Sequence, residues 1–329
     1  MIGGVPWADL VLGIGLLASV LCTVLPGSRF AQSMGLLGLG VLTTLAWLRL
    51  GSVDVALAEA GIGGGILAAL LVWVSVSSPA QPAPDAAAAP KWPWLRPVVG
   101  TLSAIALIVV AAAVWLRAEQ SLPAWDAALT ADMDLTGVEH EITGVLLVFR
   151  FYDTLLESAV LMLTGVAVLA LGQGDVGSRA GLSAALSPQP AIPSSLHWLI
   201  RVTAPVLFLV GLWLLFAGST DSGGAFQSGA VLCAVLILLR SAHVPLERLT
   251  VGWLRRALVA GVVVFILAAL VHLDAPFSFP VLLAVEVLLT LGIAAGLYAI
   301  YLSLENPRSE NPNLANPRSG NPVRRAAGS

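Results

Sequence analysis

LLVFRFYDTLLESAVLMLTGVAVLAL, residues 146–171, is the stretch on which the reading of the chain turns. It is long enough to cross a bilayer as a helix, which takes about 20 mainly apolar residues. Yet it carries Arg150, Asp153 and Glu157. The spacing i, i+3, i+7 places all three on one helical face, with apolar residues on the others. Charge inside a membrane span is costly, and such residues usually face a protein interior or an ion path.

The composition outside this stretch agrees with a membrane protein. Of 329 residues, 58% are hydrophobic and 11% charged, and the mean hydropathy is +0.92. A soluble domain carries about a quarter charged residues. The fold class is therefore all-α and polytopic, with about nine spans. They fall near 7–25, 30–50, 53–76, 97–116, 142–171, 196–217, 225–239, 257–273 and 279–302. The first ten residues lack the basic start of a signal peptide, so the first apolar run reads as a retained span. The two cysteines, Cys22 and Cys233, lie in apolar runs and form no metal spacing. No Walker loop, zinc HExxH or GxSxG elbow is present, so the chain reads as no enzyme, with no metal and no cofactor.

Positive charge sets orientation. Arg29, Lys91, Arg96, Arg179, Arg248, Arg255 and Arg256 fall in the odd-numbered connections, and four arginines follow the last span. The even-numbered connections carry Arg49 and Arg117. The expected topology has the N-terminus outside and the C-terminus inside a cell (inner or plasma) membrane. Proline- and alanine-rich stretches mark seams. The expected modules are residues 1–78 with three spans, 97–172 with two and 195–304 with four. Residues 79–96 and 173–194 link them, and 305–329 form a polar tail expected to be disordered.

Several residues are candidates for chemistry. Glu59, two turns into the third span, has no basic neighbour in sequence. Asp54 stands at the start of that helix, where a carboxylate favours the helix dipole, and reads as a cap. Arg150, Asp153 and Glu157 allow two readings. In one, Arg150 pairs with Asp153 and Glu157 bonds a neighbouring helix. In the other, Glu157 relays a proton or cation and Arg150 tunes it. Glu286 is another acid without a local partner. If their helices meet, Glu59, Glu157 and Glu286 form an acidic cluster. Arg201 and Pro205 read as structural: the arginine snorkels and the proline kinks the sixth span. Gly223, Gly224 and Gly229 permit irregular backbone or close packing, with Gln227 a polar group at shallow depth.

These residues also carry a resemblance. DVALAEAGIGGG, residues 54–65, resembles the third span of the small subunits paired with complex-I-like hydrogenases and antiporters. FRFYDTLLESAVL, from Phe149, resembles the C-terminal extension of MrpA, the large subunit of the Mrp antiporters, with its FRxxDTLGE motif. IRVTAPVLFLVGLWLLFAG followed by SGGAFQSGA resembles MrpB, with its TRxxxP and PGGGFQGG motifs. Leu156, Val148, Ser222, Ala225, Ser228 and Ala58 depart from these patterns, while the acids and Arg150 are kept. The resemblance implies a membrane-arm subunit of a multisubunit cation/proton antiporter, or of a related complex-I-like machine. It implies large antiporter-like subunits and other small subunits as partners, and Na+ and H+ as the ions. A subunit that only scaffolds such a complex, including one coupled to a hydrogenase or to inorganic-carbon uptake, is the alternative.

Overall fold

A computed structural model describes residues 7–77, 95–121, 131–171, 194–244, 246–271 and 278–305. Both linkers fall almost wholly outside the described residues, as do the tail after Glu305 and Lys91. Every regular element among the described residues is helical. In chain order they are α1 (Trp7–Val24), α2 (Arg29–Arg49), α3 (Val53–Ala58), a π-helical segment (Glu59–Leu67) and α4 (Ala68–Ser77). Then come α5 (Leu95–Ser121), a 3-10 turn (Met133–Leu135), α6 (Glu141–Gly144), a second π segment (Val145–Phe149) and α7 (Phe151–Leu171). The last four are α8 (Ser194–Ala217), α9 (Ala225–Ser241), α10 (Glu247–Val271) and α11 (Phe279–Glu305).

The apolar stretches of the sequence are helical where they fall among the described residues. Among those residues, seven helical stretches are long and apolar enough to cross a membrane, and two shorter ones, Val98–Val114 and Ala225–Ser241, accompany them. The chain forms two compact units. One is Met1–Ser77 with Asp134–Ser329, and the other is Ser78–Met133, which contains α5. The side chains of residues 98–114 are exposed within their unit.

The large unit is built around α11. Over half of its apolar window is buried (56%), against none of that of α1. Tyr298, Phe265, Leu258, Leu282, Leu289 and Ile293, all on α10 and α11, are nearly inaccessible. Small residues set the approach of neighbouring helices, as expected where apolar burial cannot drive association in lipid. A Cβ on Gly229 of α9 would stand 2.7 Å from Ile293, and one on Gly261 of α10 would stand 2.7 Å from the Leu288 carbonyl. Gly165 of α7 lies against Leu258 of α10 and Gly296 of α11.

The N-terminal spans meet through a closer contact. A Cβ on Gly40 of α2 would stand 2.5 Å from the Gly64 Cα in the first π segment. Ser33 Oγ donates to the Leu71 carbonyl at 3.2 Å across the same pair of spans. Locally, Ser28 caps α2 through a hydrogen bond from the Ala31 N–H at 3.2 Å. Gly51, at φ 78°, turns the chain out of α2 and into α3.

Candidate ion-path residues and a junction at Asp54

Asp54 stands in the first turn of α3, as its helix-start position suggested, but its carboxylate is engaged far along the chain. Ser222 Oγ donates to Oδ2 at 3.1 Å, and the Gly223 N–H donates to Oδ1 at 3.2 Å. His140 Nε2 lies 3.4 Å from Oδ2. Gln227 Nε2 reaches the Asp54 carbonyl at 3.4 Å. The capping reading is thus incomplete: a buried carboxylate ties the start of α3 to the turn before α6 and to the α8–α9 turn.

The two turns are also joined to each other. The Glu139 and His140 N–H groups donate to the Ser219 carbonyl at 2.9 and 3.2 Å. Thr143 Oγ1 donates to the Gly218 carbonyl, and His140 Nδ1 lies 3.2 Å from the Thr143 hydroxyl oxygen. Gly224, at φ 121° and ψ −173°, occupies backbone space reserved for glycine, and its N–H donates to the Leu214 carbonyl at 2.9 Å. The doublet Gly223-Gly224 therefore supplies the irregular backbone expected of it. A cavity of about 490 Å³ lies beside the junction, lined by Asp54, Glu139, His140, Glu141, Thr220 and Ser222 among others.

The charged stripe of the opening sequence is arranged differently. Arg150 is not inside a regular helix. It sits between the second π segment and α7 at φ −123°, ψ 36°, so the expected unbroken face starts only after it. Arg150 Nη2 and Asp153 Oδ2 form an ion pair at 2.5 Å, with side chains 69% and 49% exposed. Glu157 is exposed too, and nothing among the described residues hydrogen-bonds or ion-pairs with it. Tyr152, Leu156 and Val160 share this outward surface, each about three-fifths exposed.

The other candidates are dispersed. The Glu59 carboxylate lies over its own π segment, where a Cβ on Gly63 would stand 2.5 Å from Oε1. Glu286 is buried in α11, its Oε1 3.9 Å from where a Gly224 Cβ would be. No hydrogen bond or ion pair among the described residues links Glu59, Glu157 and Glu286. Arg201 is exposed and reaches His197 at 3.2 Å. Pro205 lies within α8, which continues through it. Sequence reasoning missed His140 and Thr143. Neither belongs to a motif, and only the helix that starts at Glu141 hinted that His140 occupies an N-cap position.

Residues 195–305 match the family model described as a domain related to the MnhB subunit of Na+/H+ antiporter. Residues 14–80 match the MbhD model, which describes the D subunit of MBH. A search of curated proteins finds no match. Among solved structures, a chain of the Mrp complex from Dietzia sp. DQ12-45-1b has a similar fold, with a TM-score of 0.72 and 21% identity. The likeness covers 95% of this chain and 36% of the other, so this chain spans about a third of that chain's length. The protein is a multi-pass α-helical membrane protein with the fold of part of an Mrp complex. In one polypeptide it joins an MbhD-type module to an MnhB-related module.

Proposed function

We propose that this chain is a membrane-arm subunit of an Mrp-type multisubunit cation/proton antiporter in the cell membrane, spanning it nine times with the N-terminus outside. The observation that carries this reading is the outward-facing stripe of Arg150, Asp153 and Glu157. Along α7 alone, helical rise puts Glu157 about 9 Å from Phe151 and about 21 Å from Leu171, and the helical segments from Glu141 to Phe149 precede it, so it stands well inside the crossing. An ionised carboxylate turned to lipid at that depth costs at least about 3 kcal/mol. Arg150 is already taken by Asp153. Glu157 is therefore a group that another subunit must cover, and a chain with such a face works inside a larger assembly. The matched family model described as related to the MnhB subunit of Na+/H+ antiporter supports the same conclusion.

Within that complex, Glu157 and Asp153 stand on the ion path with Arg150 as the tuning cation, and Glu59 and Glu286 lie further along it. Sodium is the cation and the proton its counter-ion. The chain transports and does not catalyse. The competing reading, a scaffold that conducts nothing, draws on the fully bonded Asp54 junction. Glu157→Gln separates the two, because it keeps shape and hydrogen bonding but removes charge. The transport reading expects an assembled complex whose cation-dependent proton movement in vesicles is abolished. Full transport by the assembled variant would remove Glu157 from the path.

A further inference from the structure

We infer that His140 is a proton-binding site whose occupancy closes the Asp54 junction. The argument is one of hydrogen-bond donors. The Thr143 hydroxyl has a single proton, and it is spent on the Gly218 carbonyl. Toward His140 the same hydroxyl oxygen is therefore an acceptor, and the contact at 3.2 Å requires a proton on Nδ1. A neutral imidazole has one proton only. With Nδ1 protonated, a neutral His140 turns the bare lone pair of Nε2 toward Asp54 Oδ2, and lone pair faces lone pair. A second proton on Nε2 turns this into a charge-assisted hydrogen bond to the carboxylate. Proton uptake by His140 and closure of the junction are thus one event.

The side chains around the ring are acidic. Asp54 faces it from α3, Glu139 and Glu141 flank it on its own segment, and all of them line the same cavity. Asp221, on the α8–α9 turn, is held by the Ser222 N–H at 2.7 Å. No arginine or lysine lines the cavity among the described residues. The Asp54 carboxylate keeps its bonds from Ser222 and Gly223 in either state, so the α3 and α8–α9 ends stay joined. What the proton adds is a direct bond from α3 to the turn that leads into α6, the second π segment and Arg150, a turn already tied to the α8–α9 turn through Ser219 and Gly218. Histidine titrates between about pH 5 and 8. The contact is made where the ring carries its second proton and is lost where it does not. The cavity thus gives the aqueous phase a proton-controlled grip on the helix that carries the charged stripe.

The test is a double-mutant cycle of His140→Gln and Asp54→Asn in the full chain, read by thermal unfolding in detergent at about pH 5.5 and about pH 8.5. The expected coupling is about tenfold in the unfolding equilibrium at the acid pH and no more than about twofold at the alkaline pH. Thr143→Val gives a sharper readout. Without the Thr143 oxygen, a neutral His140 is free to carry its proton on Nε2, so the coupling becomes nearly independent of pH. If the variants unfold, hydrogen exchange of residues 139–144 in the unaltered protein, corrected for intrinsic rate, is expected to accelerate at the alkaline pH. Coupling of equal size at both pH values, pH-independent exchange, or an undiminished pH dependence in Thr143→Val would each overturn the inference. None of these readouts depends on transport, so their failure would leave the antiporter reading where it stands.

Discussion

Asp54 and Glu157 are both carboxylates on helices of a membrane protein, and the chain treats them in opposite ways. Asp54 is buried, and its oxygens accept from a hydroxyl and a backbone N–H with an imidazole alongside. Glu157 faces outward with no partner among the described residues. A buried polar group is tolerable only when its hydrogen bonds are made, so Asp54 is accounted for within its own fold. Glu157 finds no such bonds among the described residues, which is the condition expected of a group completed by a contact beyond them. Local satisfaction is therefore a better guide to which acid is structural than residue type or depth.

The strongest way to break this comparison is to remove the satisfied member. Asp54→Ala strips the acceptor from Ser222, Gly223 and His140 at once. The loss is expected to be about 3 kcal/mol, the range for a buried charged acceptor whose donors stay behind. Thermal unfolding in detergent measures it, and a loss below about 1 kcal/mol would mean that water replaces the carboxylate at little cost. The corresponding Glu157→Ala is expected to change the stability of the isolated chain by under about 0.5 kcal/mol, as for an exposed site.

A second substitution asks whether backbone approach holds the third span as firmly as the Asp54 bonds do. At Gly40, a Cβ would meet Gly64 Cα at 2.5 Å and Gly64 N at 2.9 Å, and backbone cannot swing away as a side chain can. Gly40→Val is expected to cost about 2 kcal/mol by overpacking. It should also shift the π segment that begins at Glu59. Thermal unfolding and hydrogen exchange over residues 59–67 report the two effects. A variant as stable as the parent would show that this crossing is loose.

How much of this was legible in the sequence follows from how far each feature depends on distant contacts. The all-helical, multi-pass character was readable because hydropathy over about 20 residues is local. Gly223, Gly224 and Gly229 left irregular backbone and close packing both open, and it is Gly224 that takes φ 121°, which only glycine accepts cheaply. The break at Arg150 was not readable, since an i, i+3, i+7 pattern assumes an unbroken helix, and nothing in VLLVFRF marks the π turn before it. The junction was hidden for a different reason. Asp54, His140 and Ser222 lie in three separate segments, and no periodicity relates them. The acidic cluster proposed for Glu59, Glu157 and Glu286 needed the side-chain directions of three helices, and the structure points one of them outward.

The smallest expected effect tests the comparison from inside the core. Thr290 Oγ1 is buried in α11 with no hydrogen-bond partner among the described residues, and Ser158 Oγ is in the same condition on α7, which packs against α11. Within the fold, then, these hydroxyls resemble Glu157 more than Asp54: polar groups whose bonds the chain does not supply. Thr290→Val keeps the branched shape and deletes the hydroxyl. If the hydroxyl is truly unbonded, its removal relieves a desolvated group, and stability should stay level or rise by no more than about 1 kcal/mol. A loss of more than about 1 kcal/mol would show that the site holds a bonded water or ion. In that case the α7–α11 interface, one residue along from Glu157, would join Glu157 as a place where the chain relies on something outside itself.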